Sequence, residues 1–157
     1  MSKSRNSKRT QTGSGGKAHR FTNFWDNIDS HLDSYVEHEA CSLLRELGYA
    51  VLPYSRRSSI DPANTIYSQV PFNRMKLDFA LIDAQIAIEI QGDYWHGNTA
   101  TSLSVTQARN KTRDQKKMTA LQNAGWKLIK VWEIDVIERP QRAAHHIKTS
   151  ILNLIDV

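Results

Sequence analysis

The sequence predicts an α/β fold, more closely an α+β arrangement in which helices flank a mixed β-sheet. Three runs show the period-two alternation of apolar residues that is typical of half-buried strands. Three other segments repeat apolar residues at the spacing of amphipathic helices. A chain of 157 residues is long enough to bury both kinds of segment around one core. The strand runs are 75–82, 86–91 and 126–133, and the helical segments are 34–47, 105–124 and 140–154.

Composition limits the class of protein. No run of about 18 consecutive apolar residues exists, so no segment is expected to span a membrane, and the polar N-terminus lacks the apolar core of a signal peptide. The single cysteine, Cys41, cannot form an internal disulfide and excludes a cysteine-rich zinc site. We therefore expect a cytoplasmic protein.

The net charge of +5 comes from the first 20 residues, which carry six basic residues and no acid. The rest of the chain has 15 basic against 16 acidic residues. We expect residues 1–20 to be a disordered tail and residues 21–157 to be a single domain, because the tail lacks the apolar residues of a core. Such an arm can neutralise nucleic-acid phosphates, although a solubilising tail or an expression remnant has the same composition. The basic residues are Lys3, Arg5, Lys8, Arg9, Lys17 and Arg20.

The first helical segment has clear ends. Ser34 and Glu37 form a capping-box pattern, and Gly48 follows the last apolar position. A strand is then expected over residues 49–54. Residues 55–74 show no sustained period and contain two prolines, so we expect a long loop. The basic residues in or beside this loop that could contact phosphates are Arg56, Arg57, Arg74 and Lys76.

Residues 75–91 are expected to form a hairpin that opposes two carboxylates. If its turn is centred on Asp83 and Ala84, paired residues have numbers that sum to 167, and Asp78 stands opposite Glu89. Opposed Cβ atoms lie about 4.5–5.5 Å apart, and like charges so placed are destabilising. A divalent cation such as Mg²⁺ would offset the repulsion, since it prefers oxygen ligands. Two solvated acids on an exposed face are the alternative, and a turn of another length would shift the pairing.

Two further polar residues follow the hairpin. His96 stands just past the second strand and can act as a general base near neutral pH. In the next helix Asp114 shares a face with Met118 and Leu121, and an acid on an apolar stripe needs a partner if it is buried. The roughly opposite face is interpreted as solvated and carries Arg109, Arg113 and Lys116.

The C-terminal part completes the core. The run 126–133 is expected to bury Leu128 and to turn Lys127 and Lys130 outward. Pro140 is predicted to open the last helix. Its apolar stripe packs the helix and could also serve as the interface of a homodimer, and it consists of Ile147, Ile151 and Leu154.

In combination these residues resemble the PD-(D/E)XK nucleases, and more closely the very-short-patch-repair endonucleases and the related homing endonucleases with the signature EDxHD. Asp78, followed eleven residues later by Glu89-Ile90-Gln91, resembles the D…(D/E)xK core, with glutamine where lysine usually stands. The resemblance covers about residues 34 to 135 and implies a restriction-endonuclease-like core. The matching pieces are ELGYAV, LDFAL, GDYWHG and NKTRDQKKMTALQNAGWKLIKVWE.

The resemblance implies roles for individual residues. Glu37 would be the catalytic helix acid, with Glu39 as the alternative. His96 would activate the attacking water, and Asp114 would orient that histidine and stabilise its charge. Tyr94 and Trp95 match aromatics that the repair enzymes wedge into the base stack. The implied Mg²⁺ ligands are Asp78, Glu89 and the main-chain carbonyl of Ile90.

The chain also departs from the repair enzymes. It lacks the cysteines of their structural zinc site and has a longer loop at residues 55–74, which favours a sequence-specific or homing-type enzyme. We therefore expect a magnesium-dependent endonuclease that cuts double-stranded DNA, in the host cytoplasm if the gene is carried by a phage. The alternatives are a restriction or mismatch-repair nicking enzyme, a nuclease directed at RNA or at a nucleic-acid structure, and a catalytically silent DNA-binding module of the same fold.

Overall fold

The computed structural model describes residues 32, 34–92 and 105–156, with side chains from residue 108 onward in the last range. The strands are β1 (Val51–Pro53), β2 (Ile66–Phe72), β3 (Met75–Leu81), β4 (Ile86–Gln91) and β5 (Lys127–Trp132). The described helices are α1 (Tyr35–Glu46), α2 (Val105–Asn123), α3 (Glu133–Glu138) and α4 (Pro140–Ile155), with a 3₁₀ turn at Tyr54–Arg56. The strands form one sheet in the order β1-β2-β3-β4-β5. Its outer pairs are parallel and its inner pairs antiparallel, which confirms the predicted mixed sheet.

Different helices cover the two faces of the sheet. Phe79 and Ile88 belong to the larger cluster, together with apolar residues of α1, α3 and α4. Ala80 and Ala87, the next positions along β3 and β4, belong to the smaller cluster with Leu121 of α2. Because neighbouring residues of a strand point to opposite faces, α2 covers the face that carries the small alanines. The same face carries the predicted acids.

The predicted ends of α1 are confirmed. The Ser34 hydroxyl accepts a hydrogen bond from the Glu37 main-chain N–H at 3.2 Å, as an N-cap should. Gly48 has a φ of 93°, in the left-handed region that glycine adopts without cost, and its N–H donates to the Arg45 carbonyl at 2.9 Å. The cap fixes the first turn of α1 and therefore the position of Glu37.

The prediction of a long loop over residues 55–74 is wrong in its second half, which forms β2. Three consecutive residues, Ile66, Tyr67 and Ser68, are buried, so the strand has no alternation to recognise. A strand that is covered on both faces loses its period-two pattern. The φ of 53° at Gln69 also interrupts the extended backbone, which makes the strand harder to recognise from its sequence. The strand predicted at 49–54 is shorter, because a 3₁₀ turn replaces its end.

The hairpin register is as predicted. Phe79 pairs with Ile88 and Ala80 with Ala87, so paired numbers sum to 167. The turn is closed by a hydrogen bond from the Gln85 N–H to the Ile82 carbonyl at 3.0 Å. At the next position along this register, Asp78 lies opposite Glu89.

The C-terminal elements correct two expectations. In β5 the buried residues are Ile129 and Val131, whereas Leu128 is half-buried, because α3 and α4 cover one face more completely than α2 covers the other. Lys127 does not turn fully outward, since its ammonium reaches the main-chain carbonyl of Leu154.

The last helix begins at Pro140 as predicted. Ile147 and Ile151 are fully buried in the larger cluster, so these two residues of the suggested dimer stripe are not available to a partner. Within the described ranges, no helix combines the length and the apolar character that crossing a bilayer requires.

Candidate active site

A cavity of about 660 Å³ gathers charged residues from five elements that are far apart in the sequence. Its walls come from α1, β2, β3, β4 and α2, together with the turn between β2 and β3. Its acidic lining residues are Glu37, Asp78 and Asp114. Its basic lining residues are Arg74, Lys76, Arg113 and Lys117. Three of the acids named from the sequence therefore share one cavity with four cations.

Each of the opposed carboxylates of β3 and β4 accepts a hydrogen bond from the main chain of the other strand. The Asp78 N–H donates to Glu89 Oε1 at 3.2 Å, and the Ile90 N–H donates to Asp78 Oδ2 at 2.8 Å. Glu89 is only 6% exposed, so the alternative of two solvated acids on an open hairpin face is wrong. Buried acids need compensating partners, and the main chain supplies part of that compensation.

Lys117 of α2 supplies a positive charge to the pair. Its ammonium lies 2.5 Å from Glu89 Oε2, and the two side chains are 19% and 7% exposed. The sequence pattern did not identify this lysine, because the nuclease motif has its lysine on the strand, where this chain has Gln91. A signal was present, since Lys117 lies one helical turn before Leu121, a fully buried residue, and so on the side of α2 that faces the sheet. The repulsion that was assigned to an external cation is thus already offset by an internal one.

The charge balance of the pair remains incomplete. Burial and, to a smaller extent, the adjacent Glu89 charge raise the pKa of Asp78 to about 7, against the lowering effects of the Ile90 N–H and Lys117. Burial also raises the pKa of Glu89, against the lowering effect of Lys117. Two carboxyl groups therefore share one ammonium, and their fully ionised state favours an additional positive charge.

The donor set fits Mg²⁺ in an open site and does not fit a closed cage. Among the described residues, no three acidic, histidine or cysteine side chains lie close enough to enclose a metal ion. Mg²⁺ usually keeps several waters and binds through one or two carboxylates plus substrate phosphates. Asp78 and Glu89 provide such a pair, and Ile90 lines the same cavity.

Glu37 is the helix acid that reaches the cavity. The Gln69 amide donates to Glu37 Oε2 at 2.7 Å, and both residues line the cavity. Gln69 is held in the left-handed region, which is uncommon for a residue with a side chain and is often found at functional sites. Glu39, the alternative, lies outside this lining and instead hydrogen-bonds Tyr35, which raises the tyrosine pKa after the larger effect of burial.

The N-terminal half of α2 differs from its sequence interpretation. Asp114 is exposed rather than buried on an apolar stripe, so it does not need a buried partner, and it lines the cavity. Arg113 lines the cavity as well, although its face was interpreted as merely solvated. The reason is that this half of the helix is exposed, whereas the sheet contact is made further along, at Leu121.

The other predicted DNA-contacting residues divide into three groups. Arg74 and Lys76 line the main cavity. Arg57 lies elsewhere, with its guanidinium 5.9 Å from the centre of the Tyr67 ring, and Arg56 is exposed on the 3₁₀ turn. The third group lies outside the described residues and consists of Tyr94, Trp95, Lys3, Arg5, Lys8 and Arg9, and the predicted catalytic base His96 also lies outside them.

The fold resembles that of a known catalytic domain. The chain is similar to the catalytic domain of the homing endonuclease I-Bth0305I, with a TM-score of 0.52 and 15% sequence identity, over 78% of this chain and 99% of that domain. The chain matches no protein-family model and no curated protein by sequence. The likeness therefore shows a shared α+β fold.

Proposed function

We propose that this chain is a magnesium-dependent endonuclease that hydrolyses phosphodiester bonds of double-stranded DNA at a specific site, as a homing-type enzyme acting in the cytoplasm. The observation that carries the proposal is the opposed pair Asp78 and Glu89, of which Asp78 lines a cavity together with four basic residues. The fold it shares with a homing endonuclease domain supports the proposal.

The cavity suits an anionic polymer that reacts at one phosphate. Arg74 and Lys76 line it from the β2–β3 side, and Arg113 lines it from α2. Cations on both sides would bind the phosphates that flank the reacting one and fix the register of the strand, since phosphate contacts position a nucleic acid and base contacts specify its sequence. Asp78 is among the same lining residues, and Glu89 stands opposite it on β4, so the reacting phosphate would lie beside this pair.

Each residue has a defined part in the proposed reaction. Asp78, Glu89 and the Ile90 carbonyl would hold Mg²⁺, which supplies neutralisation of the phosphate charge and a lower pKa for water. His96 would take the proton of the attacking water, and Asp114 would orient that histidine. The Gln69 amide fixes the Glu37 carboxylate, which can accept a hydrogen bond in the same cavity.

A catalytically silent DNA-binding module is the second candidate. The observation that favours it is the internal ion pair, because Lys117 already neutralises Glu89 without any metal. Such a module would keep the basic rim and bind DNA, and it would leave the phosphodiester bonds intact.

The test is cleavage of genomic DNA with Mg²⁺, followed by mapping of the ends, with EDTA as the metal-free control. Asp78→Asn should remove cleavage, because the metal site loses a charged ligand. Asp83→Asn is the matched control, since Asp83 is an exposed acid at the far end of the same hairpin.

The mapped ends separate the candidates. Ends at one or very few sites support the homing-type enzyme, ends at a short frequent sequence indicate a restriction enzyme, and nicks confined to mismatched pairs indicate a repair enzyme. Retention of DNA binding without any Mg²⁺-dependent ends would establish the silent module.

A further inference from the structure

The ion pair between Lys117, which lines the cavity, and the buried Glu89 joins two elements. Lys117 belongs to α2 and Glu89 to β4, and the ammonium and carboxylate are within 2.5 Å. Sequence reasoning assigned the neutralisation of this carboxylate to a divalent cation. One carboxylate thus has two candidate cations, and a single oxygen cannot hold both at full strength.

The surroundings of Glu89 leave little room for other compensation. One of its oxygens accepts the Asp78 N–H, and the other accepts the ammonium. With a side chain 7% exposed, Glu89 has little access to solvent that could replace a lost partner. A cation that binds this carboxylate through Oε2 must therefore take the place of the ammonium.

We propose that Lys117 is a competing counterion that occupies the cation position at Glu89 in the metal-free protein and is exchanged when Mg²⁺ binds. The inference rests on the proposed function, since it concerns the same acidic pair. Its consequence is that the lysine stabilises the metal-free fold and lowers the apparent affinity for Mg²⁺.

The structure offers the displaced ammonium another partner. A lysine carries a point charge on a flexible four-carbon stem, so it can change partners without moving its helix. Asp114 lies three residues earlier on α2, a spacing that places side chains next to each other on a helix surface. It is exposed and lines the same cavity. A substrate phosphate in the cavity would serve equally.

The test measures thermal unfolding midpoints without DNA, first in EDTA and then with increasing MgCl₂ at pH 8. A ligand that binds only the folded state raises the midpoint once its concentration exceeds the dissociation constant. The variants are Lys117→Met, which removes charge and hydrogen bond, and Lys117→Gln, which keeps a donor for Glu89. Lys116→Met is the matched control, because Lys116 is an exposed neighbour that does not line the cavity.

Removal of the Lys117 charge should lower the stability of the metal-free protein and raise its affinity for Mg²⁺. In EDTA, Lys117→Met should melt below wild type, and with Mg²⁺ its midpoint should begin to rise at a concentration lower by about tenfold or more, as expected for removal of a unit charge a few ångströms from a divalent cation. Lys117→Gln should show the same affinity gain with a smaller loss in EDTA. Lys116→Met should follow wild type in both respects.

Several outcomes overturn the inference. If Lys117 only anchors α2, both variants lose stability in EDTA while their Mg²⁺ response begins at the wild-type concentration or above it. If Lys117→Met does not fold, the Lys117→Gln response decides alone. If neither wild type nor variants respond to Mg²⁺ up to high millimolar concentrations, the competing counterion is refuted, and the cleavage assay on wild type then shows separately whether the proposed nuclease function also fails.

Discussion

Asp78 carries a carboxyl whose pKa burial and the nearby Glu89 raise to about 7. The folded metal-free protein therefore binds this proton more tightly than the unfolded chain does, since the ordinary value is 3.8. Between about pH 4 and pH 7 the folded state holds more protons, so the free energy of unfolding falls as pH rises through that window. Ionisation of the Asp78 carboxyl, which favours binding of a cation, thus lowers the free energy of unfolding of the metal-free protein at neutral pH.

Asp78→Asn should remove this pH dependence. In EDTA, we expect the variant to gain stability relative to wild type as pH rises from 4 to 7, with a constant difference above pH 7, because asparagine cannot ionise. Thermal or urea unfolding at each pH measures it, with Asp83→Asn as the control that should track wild type. A difference between Asp78→Asn and wild type that does not change with pH would contradict the assigned pKa.

His96 is expected to act only on the proton of the attacking water. His96→Ala should lower the cleavage rate by about 10²–10⁴, the usual contribution of a general base, while DNA affinity stays close to wild type. Single-turnover cleavage and a filter-binding titration measure the two quantities, with His145→Ala on α4 as the control. Activity within about tenfold of wild type would show that another group performs the proton transfer.

At the scale of elements, the cavity depends on two segments that reach it from different sides. The β2–β3 turn carries Arg74, and the exposed half of α2 carries Arg113. Arg74 and Arg113 are both exposed, and the buried contact of α2 with the sheet is made further along, at Leu121. Their basic side chains are therefore available to a substrate.

Arg74→Ala and Arg113→Ala should each weaken DNA binding and reduce its salt dependence. For duplex DNA the slope of log affinity against log salt should fall by about 0.9 per lost phosphate contact, and the two losses should add if the residues contact different phosphates. Lys148→Ala is the control, because Lys148 is exposed on α4 and does not line the cavity. An unchanged slope in the double variant would show that the strand does not pass between these segments.

At the scale of the whole molecule, the charge is unevenly distributed. Residues 1–20 hold six of the 21 basic residues and no acid, so the remaining chain is close to neutral. Long-range attraction of DNA is then expected to come largely from the tail, and positioning from the cavity rim.

Deletion of residues 1–20 should weaken DNA binding and reduce the salt slope by as much as about five units, if all six basic residues contact phosphates. The unfolding midpoint should stay near that of the full chain, since the sequence of residues 1–20 has too few apolar residues to be expected in a core. Binding titrations at several salt concentrations measure the slope, and a six-residue Lys/Arg→Gln variant of full length is the matched control. An identical slope before and after deletion would assign the tail no part in binding.

The sequence by itself determined those features that depend on neighbouring residues. The cap at Ser34, the end of α1 at Gly48, the hairpin register and the start of α4 at Pro140 are all confirmed, because hydrogen bonds and backbone preferences within a few residues produce them. The opposition of Asp78 and Glu89 belongs to this group, since it follows from the turn alone.

Only the tertiary structure decided what lies against that pair. Because β2 is buried on both faces, its sequence lacks the alternation that would identify a strand. The packing of α2 on the sheet places Lys117 against Glu89, which is 28 residues away in the sequence. The choice of Glu37 over Glu39 at the cavity likewise depended on which face of α1 is turned to Gln69 of β2. Such contacts join segments that are far apart in the sequence, so no local sequence pattern predicts them. They form because folding buries whole apolar faces of helices and sheet, which does not depend on the preference of any one residue.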